Sequence, residues 1–154
     1  MGAGFDGSCE VLTACRRTLP RMEGPQLGSL DYLYVPSSDV AADAHWFVDV
    51  MGAELGFAID DGGTRVAMLR VAADGPALLL TDHLPDARPV FVHRVDDLAA
   101  TSATLRSRGW TSERTIELPP GPRTTFSAPG GLRLAVYQPI RPFVVDSFMG
   151  RRDF

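Results

Sequence analysis

The chain has few histidines, the side chains best suited to bind a metal ion or transfer a proton near pH 7. Its histidines are His45, His83 and His93. A metal site could form around His83, because imidazole and carboxylate groups are common ligands of divalent metals. The groups available to it are His83, His93, Asp82 and Asp86. However, alternation along the strand that contains His93 predicts that its side chain faces the helices or solvent. The alternative to a metal site is that these histidines lie on the surface and bind no metal.

All 15 basic residues are arginines. The absence of lysine excludes Schiff-base catalysis and leaves guanidinium groups as the strong cations. The net charge of -4 argues against a general nucleic-acid or membrane partner, because such binding needs a basic surface. We therefore expect a small-molecule ligand, with no nucleic-acid partner and no membrane partner.

The length of 154 residues fits one domain. The hydrophobic share of 45% and the charged share of 22% are ordinary for a folded protein. The apolar runs are too short for a membrane span, and the N-terminus lacks the features of a signal peptide. These observations predict a cytoplasmic location.

The first 28 residues contain glycine, proline and scattered charge, so residues 1–28 are expected to form a flexible extension with Cys9 and Cys15 as free thiols. From Leu30 the pattern is regular. It predicts a strand, a helix that ends at Gly52, and three further strands. These should cover residues 30–35, about 39–51, 54–60, 64–72 and 76–82. The apolar stripe of the helix is Val40, Ala44, Phe47, Val48 and Met51.

The second half of the chain repeats this order of elements. Its strand, helix and three strands are predicted over residues 89–95, about 97–108, 111–118, 123–128 and 132–138. The helix starts "DVAA" and "DLAA" coincide when Tyr32 is aligned with Val90, each seven residues upstream of the acidic residue. The repetition indicates an internal duplication of about 55 residues.

Two βαβββ units, an acidic residue opening each helix, the run "AHWFVDVMGAELGF" and the closing "APGGLRLAVYQP" together resemble the vicinal oxygen chelate superfamily. That superfamily includes glyoxalase I, the bleomycin resistance proteins and the extradiol dioxygenases. The resemblance implies an α+β fold in which two tandem βαβββ modules form an open eight-stranded barrel-like sheet around a cavity, with the helices outside. The domain should cover residues 29–139, with modules at about 29–83 and 88–139. A C-terminal tail with a short helix should follow over 140–154.

In metal-using members of the superfamily, four ligands come from the first and fourth strands of the two modules. The resemblance places these positions on Tyr32, Leu79, Val90 and Ala135. One phenol among apolar side chains does not chelate a divalent ion, so neither the usual metal nor another cofactor is expected.

Strand residues of one parity should face the cavity and bind the ligand. They are Tyr32, Tyr34, Leu79, Thr81, Val90, Val92, Arg94, Arg133, Ala135 and Tyr137. Aromatic rings with a few guanidinium groups suit a small aromatic or amphipathic molecule. The alternative is that the tyrosines fill the barrel and the arginines pair with surface acids such as Asp96 or Glu117.

The resemblance thus favours a glyoxalase-like or bleomycin-resistance-like protein that binds a small molecule without a metal and sequesters it. A metal-dependent enzyme is not expected. Two alternatives stay open: a lyase, isomerase or dioxygenase with an atypical or metal-free site, and a structural or regulatory dimeric domain with a filled barrel. Exposed sheet edges favour pairing between chains, and dimers are common in the superfamily, so we expect a homodimer.

Overall fold

The computed structural model of the protein describes residues 24–84 and 87–154. Both cysteines and Asp86 lie outside the described residues. The first module contains β1 (Leu30–Pro36), α1 (Val40–Met51), β2 (Glu54–Asp61), β3 (Thr64–Arg70) and β4 (Ala77–Thr81). The second contains β5 (Val90–Arg94), α2 (Leu98–Ser107), β6 (Thr111–Ser112), β7 (Ile116–Leu118), β8 (Gly121–Ser127) and β9 (Arg133–Tyr137). Two 3-10 turns follow, Pro142–Val144 and Asp146–Phe148.

One curled sheet carries both modules. Its strand order is β2-β3-β4-β1-β5-β9-β8-β6, with β7 also paired to β8. Within each module the first and last strands are parallel, and the antiparallel pair of β1 with β5 joins the modules within the chain. This is the predicted α+β arrangement of two βαβββ modules, and the fold prediction is confirmed.

The duplication is visible in how the two helices begin. Asp39 accepts a hydrogen bond from the backbone N–H of Ala42, and Asp97 accepts one from Ala100. Such caps satisfy amide groups that the first helical turn leaves unpaired. The first helix ends as predicted at Gly52, whose φ of 67° favours glycine.

The strand predicted over residues 111–118 is interrupted. Both β6 and β7 pair with β8, but the four steps from Ser112 to Ile116 lie opposite only three steps from Phe126 to Arg123. The extra residue is a β-bulge, which interrupts the pairing without removing the strand from the sheet. Counted as one bulged strand, β6 and β7 complete the predicted eight strands.

The helices pack on one face of the sheet and form a hydrophobic core with each module. The predicted stripe of α1 contributes Val40, Ala44, Phe47 and Val48. Met51 was predicted to belong to it, but is 51% exposed because the helix ends there and the chain turns away at Gly52. Against α2 pack Val95, Phe126 and Val136, together with Leu27 from the predicted N-terminal extension.

The C-terminal residues wrap around the outer edge of the first module. Val145 and Phe148 pack on the face opposite α1, beside Phe57. The following residues pair with β2, where the backbone N–H of Ala58 donates to the carbonyl of Arg151 at 2.9 Å. This pairing covers part of an edge strand whose backbone groups would otherwise be unsatisfied.

Among the described helices, none has both the length and the apolar character required to cross a membrane.

Candidate functional site

The face of the sheet turned away from the helices carries most of the residues predicted to bind a ligand. Strand pairing arranges them in two adjacent rows. One row is Tyr34, Leu79, Val90 and Arg133, and the other is Tyr32, Ala77, Val92 and Ala135. Tyr32 joins the two halves of this concave face, because it packs both with Tyr137 in the second module and with Phe57 in the first.

Asp31 reaches the concave face, although alternation along β1 predicts that it faces the helices. The pairing of β1 with β5 shifts by one residue between Leu30 and Tyr32. Such a β-bulge redirects a side chain. The Asp31 carboxylate accepts hydrogen bonds from the Tyr137 hydroxyl and from Arg94 Nε, the latter at 2.9 Å. Asp31 was not predicted from the sequence to be a site residue. The one signal for it is that it is the only acidic residue in an otherwise apolar strand.

The hydrogen bonds around Asp31 shift the pKa values of Asp31 and Tyr137 in opposite directions. Burial alone would raise the pKa of Asp31, but hydrogen bonds from Ser29, Tyr137 and Arg94 outweigh it and hold the pKa below its usual value. Burial and the hydrogen bond to Asp31 raise the pKa of Tyr137. The carboxylate therefore stays charged and the phenol stays neutral near pH 7.

Arg123 on β8 is the second residue missed from the sequence. It lies opposite Tyr137 in the strand pairing and is only 8% exposed. Its guanidinium carbon is 5.8 Å from the centre of the Tyr34 ring, and the ring of His83 meets Tyr34 edge-on at the same centroid distance. The signal for Arg123 was the apolar Phe126 in the same strand: Phe126 packs against α2, so Arg123 must face the other way.

Arg94 and Arg133 form ion pairs with acidic residues other than Asp96 and Glu117. Arg133 is 7% exposed and donates from Nη2 to Glu113 at 3.2 Å. Arg94 pairs with Asp31 and keeps a half-exposed side chain. The expected surface pairings with Asp96 or Glu117 are therefore not the ones formed; Glu117 pairs with Arg141.

The tyrosines of the concave face are held as neutral phenols. Burial raises the pKa of both Tyr32 and Tyr34. The positive charge of Arg123 lowers the pKa of Tyr34, but burial has the larger effect. The rings of Tyr32 and Tyr137 lie 5.8 Å apart at a tilt of 54°, an arrangement common for packed aromatic pairs. Both Tyr32 and Tyr34 remain partly accessible.

The residues at the metal-ligand positions do not fit a metal ion. Tyr32 and Ala135 share one row of the concave face, and Leu79 and Val90 share the other. The phenol of Tyr32 is a lone potential donor among side chains without lone pairs. Within residues 24–84 and 87–154, no group of three His, Cys, Asp or Glu side chains is placed to hold a metal.

The rival metal site around His83 does not assemble from the described residues. His83 contacts Tyr34 and shares a hydrogen bond with Thr81, whereas His93 bonds to the carbonyl of Gly28. Asp82 accepts from the backbone N–H of Arg65. Alternation places His93 away from the concave face, as expected from the sequence, and His45 is exposed on α1.

Two surface clefts lie outside the tyrosine-lined face. One, of about 330 Å³, is lined by residues that include Ser37, Thr81 and Asp82, so it shares Thr81 with the predicted ligand-binding set. The other, of about 390 Å³, lies beside Trp110 and Ser127. Both are open to solvent, whereas the concave face combines aromatic rings with buried cations. We regard the concave face as the better candidate site.

The comparisons with known proteins agree with this fold. The family model described as the Glyoxalase/Bleomycin resistance protein/Dioxygenase superfamily matches residues 29–136. No curated protein matches the chain. A methylmalonyl-CoA epimerase from Mycobacterium tuberculosis has a TM-score of 0.61 at 21% identity, covering 83% of this chain and 97% of its own.

Two further solved structures are similar. The methylmalonyl-CoA epimerase of Streptomyces coelicolor, in complex with 2-nitronate-propionyl-CoA, has a TM-score of 0.57 at 18% identity and covers 75% of this chain and 99% of its own. An antibiotic-binding protein from a Streptomyces species has a TM-score of 0.36 at 25% identity, with coverages of 73% and 96%. The family match spans more than half of the chain and coincides with the two βαβββ modules, so the chain belongs to the Glyoxalase/Bleomycin resistance protein/Dioxygenase superfamily.

Proposed function

We propose that this protein binds a small aromatic or amphipathic molecule on its concave face without a metal ion. One observation carries the proposal: the strand positions used for metal ligands by relatives hold Tyr32, Leu79, Val90 and Ala135, and a buried guanidinium lies against the neighbouring Tyr34. Aromatic faces and cations bind organic ligands by stacking and charge rather than by coordination.

The state of the tyrosines supports binding over catalysis. A phenol with a raised pKa is neutral near pH 7, so Tyr32 and Tyr34 can donate hydrogen bonds to a ligand but are poor general bases. We further propose sequestration of the ligand as the biological role, in a cytoplasmic homodimer, as in the bleomycin resistance proteins of the superfamily.

The enzyme alternative has one specific observation in its favour, the Asp31 carboxylate that the bulge delivers to the concave face. A general base works best when its pKa lies near the working pH. Hydrogen bonds to Ser29, Tyr137 and Arg94 hold the pKa of Asp31 low instead, so it is a weak base that orders its neighbours.

The structural alternative, a dimeric domain with a filled barrel, is favoured by the burial of Tyr137 to 2% exposure and by the C-terminal cover over Phe57. Tyr32 and Tyr34 stay partly accessible, which a filled barrel does not require.

A thermal-shift screen of aromatic metabolites and antibiotics on chelator-treated protein tests the proposal, since a ligand that binds only the native state raises Tm. We expect hits for the wild type and for Phe143→Leu, a change at a residue that is 81% exposed. The affinity of Tyr32→Leu or Tyr34→Leu for the same compounds should be at least tenfold lower. Hits that need added metal, or that persist unchanged in both tyrosine variants, would overturn the proposal.

A further inference from the structure

Arg123 carries a buried charge that the described part of the chain does not neutralise. Only 8% of the residue is exposed, and its Nε has no hydrogen-bond acceptor. No ion pair within residues 24–84 and 87–154 includes it, and its defined contact is with the Tyr34 ring. In contrast, Arg94, Arg65 and Arg141 each face a carboxylate.

This situation is costly, because a guanidinium group cannot shed its proton in a protein and must be compensated where it is buried. The nearby charge is unfavourable as well. Burial lowers the pKa of Arg123, and the positive charge of Arg133 lowers it further, with partial relief from Tyr34 and Glu113. Glu113 is half exposed and already bonded to Arg133.

We propose that Arg123, supported by the positive charge of Arg133, binds the anionic head group of the ligand, a carboxylate or a phosphate monoester. A guanidinium group presents pairs of parallel N–H donors that match the two oxygens of such a group. The aromatic or apolar body of the ligand then packs on Tyr34 and Tyr32. The inference rests on the proposed function and defines its ligand class as organic anions.

The location of Arg123 favours a ligand over a purely internal role. It lies on the concave face beside the partly accessible Tyr34, whose ring contacts the exposed His83. Burial and the charge of Arg123 hold the pKa of His83 low against the opposing effect of Asp82, so the imidazole adds no positive charge to those of Arg123 and Arg133 near pH 7 and can hydrogen-bond an anion.

The test uses four probes: inorganic phosphate, benzoate, phenyl phosphate and the neutral benzyl alcohol. Their dissociation constants are measured by calorimetry and thermal shift on the wild type, on Arg123→Met and on Arg123→Lys. Arg106→Met, an exposed arginine of α2, is the matched control. Methionine fills a similar volume without charge, so Arg123→Met should fold with a Tm at least equal to that of the wild type.

We expect benzoate or phenyl phosphate to bind the wild type and Arg106→Met at least tenfold more tightly than benzyl alcohol. Arg123→Met should lose this preference, and Arg123→Lys should keep only part of it, because lysine supplies charge without the planar fork. Stronger binding of phenyl phosphate than of benzoate would identify a phosphate ligand, and the reverse order a carboxylate ligand.

The inference would be overturned by equal affinity for charged and neutral probes, by anion binding unchanged in Arg123→Met, or by no anion binding at all. Equal affinity for all three aromatic probes, weakened in Tyr34→Leu but not in Arg123→Met, would overturn the anion site while leaving the proposed function standing. A lowered Tm of ligand-free Arg123→Met would show that Arg123 is a structural residue and would count against it as well.

Discussion

At the scale of single residues, Asp31 links β1 to β5 and β9 through Arg94 and Tyr137. Its pKa is lower in the folded state than the ordinary value of 3.8. A carboxylate of this kind contributes stability that is fully present above the unfolded-state pKa and is lost as the pH falls through the folded-state pKa.

We therefore predict that Asp31→Asn lowers the free energy of unfolding by about 1–3 kcal/mol at pH 7, since charged hydrogen bonds are lost. The difference from the wild type should shrink below about pH 4. Urea unfolding at pH 7 and pH 3 measures both values, with the exposed Asp96→Asn as control. An equal difference at the two pH values would show that Asp31 does not act through its charge.

A second residue-scale prediction concerns His83, whose pKa burial lowers and the charge of Arg123 lowers further. Removing that charge in Arg123→Met should raise the pKa of His83, because protonation no longer meets a positive neighbour. An NMR titration of the imidazole between about pH 5 and pH 8 measures the change. Arg106→Met should leave the value as it is, and an unchanged or lower pKa in Arg123→Met contradicts the proximity of the two groups.

At the scale of elements, the two modules use the same device to begin their helices. Asp39 and Asp97 each cap the third residue that follows. We predict that Asp39→Ala and Asp97→Ala each cost about 1 kcal/mol of stability. Because the two caps share no partner, the double variant should lose the sum.

Asp49→Ala, at an exposed position in the interior of α1, is the control and should change the free energy of unfolding by less than about 0.5 kcal/mol. Denaturant unfolding of the four variants gives the values. A cap variant that behaves like this control would mean that its helix does not depend on the cap.

Alternation and capping patterns predict the elements well, because each strand buries one face and each helix starts at an acid. The pattern of β1 correctly predicts that Tyr32 and Tyr34 share a face. It fails at Asp31, since a bulge depends on pairing with β5, which the sequence of β1 does not encode. The same reason explains the interrupted strand between Ser112 and Ile116.

At the scale of the whole molecule, the C-terminal segment is part of the first module and not a free tail. Phe148 meets Phe57 at a ring distance of 6.0 Å on the concave side of the sheet. Phe154 reaches the helix side, where Arg65 lies over its ring. Residues 148–154 therefore pack against the outer edge of the sheet on both of its faces.

We predict that Phe148→Ala lowers the free energy of unfolding by about 1–3 kcal/mol, less than a fully buried phenylalanine because Phe148 is only partly buried. Phe143→Ala, at a residue that is 81% exposed, should change it by less than about 0.5 kcal/mol. Thermal and urea unfolding compare the two. Equal effects would mean that the segment does not pack as described.

Duplication and pairing of two modules create a single concave face with aromatic and cationic groups, and binding on that face is the central claim. The most direct test is an NMR titration of chelator-treated protein with phenyl phosphate, following the ring signals of Tyr32 and Tyr34 and the Nε–H signal of Arg123. The account predicts saturable shifts at all three groups without added metal. Shifts confined to the clefts beside Asp82 or Trp110, or shifts that appear only after a divalent metal is added, would contradict it.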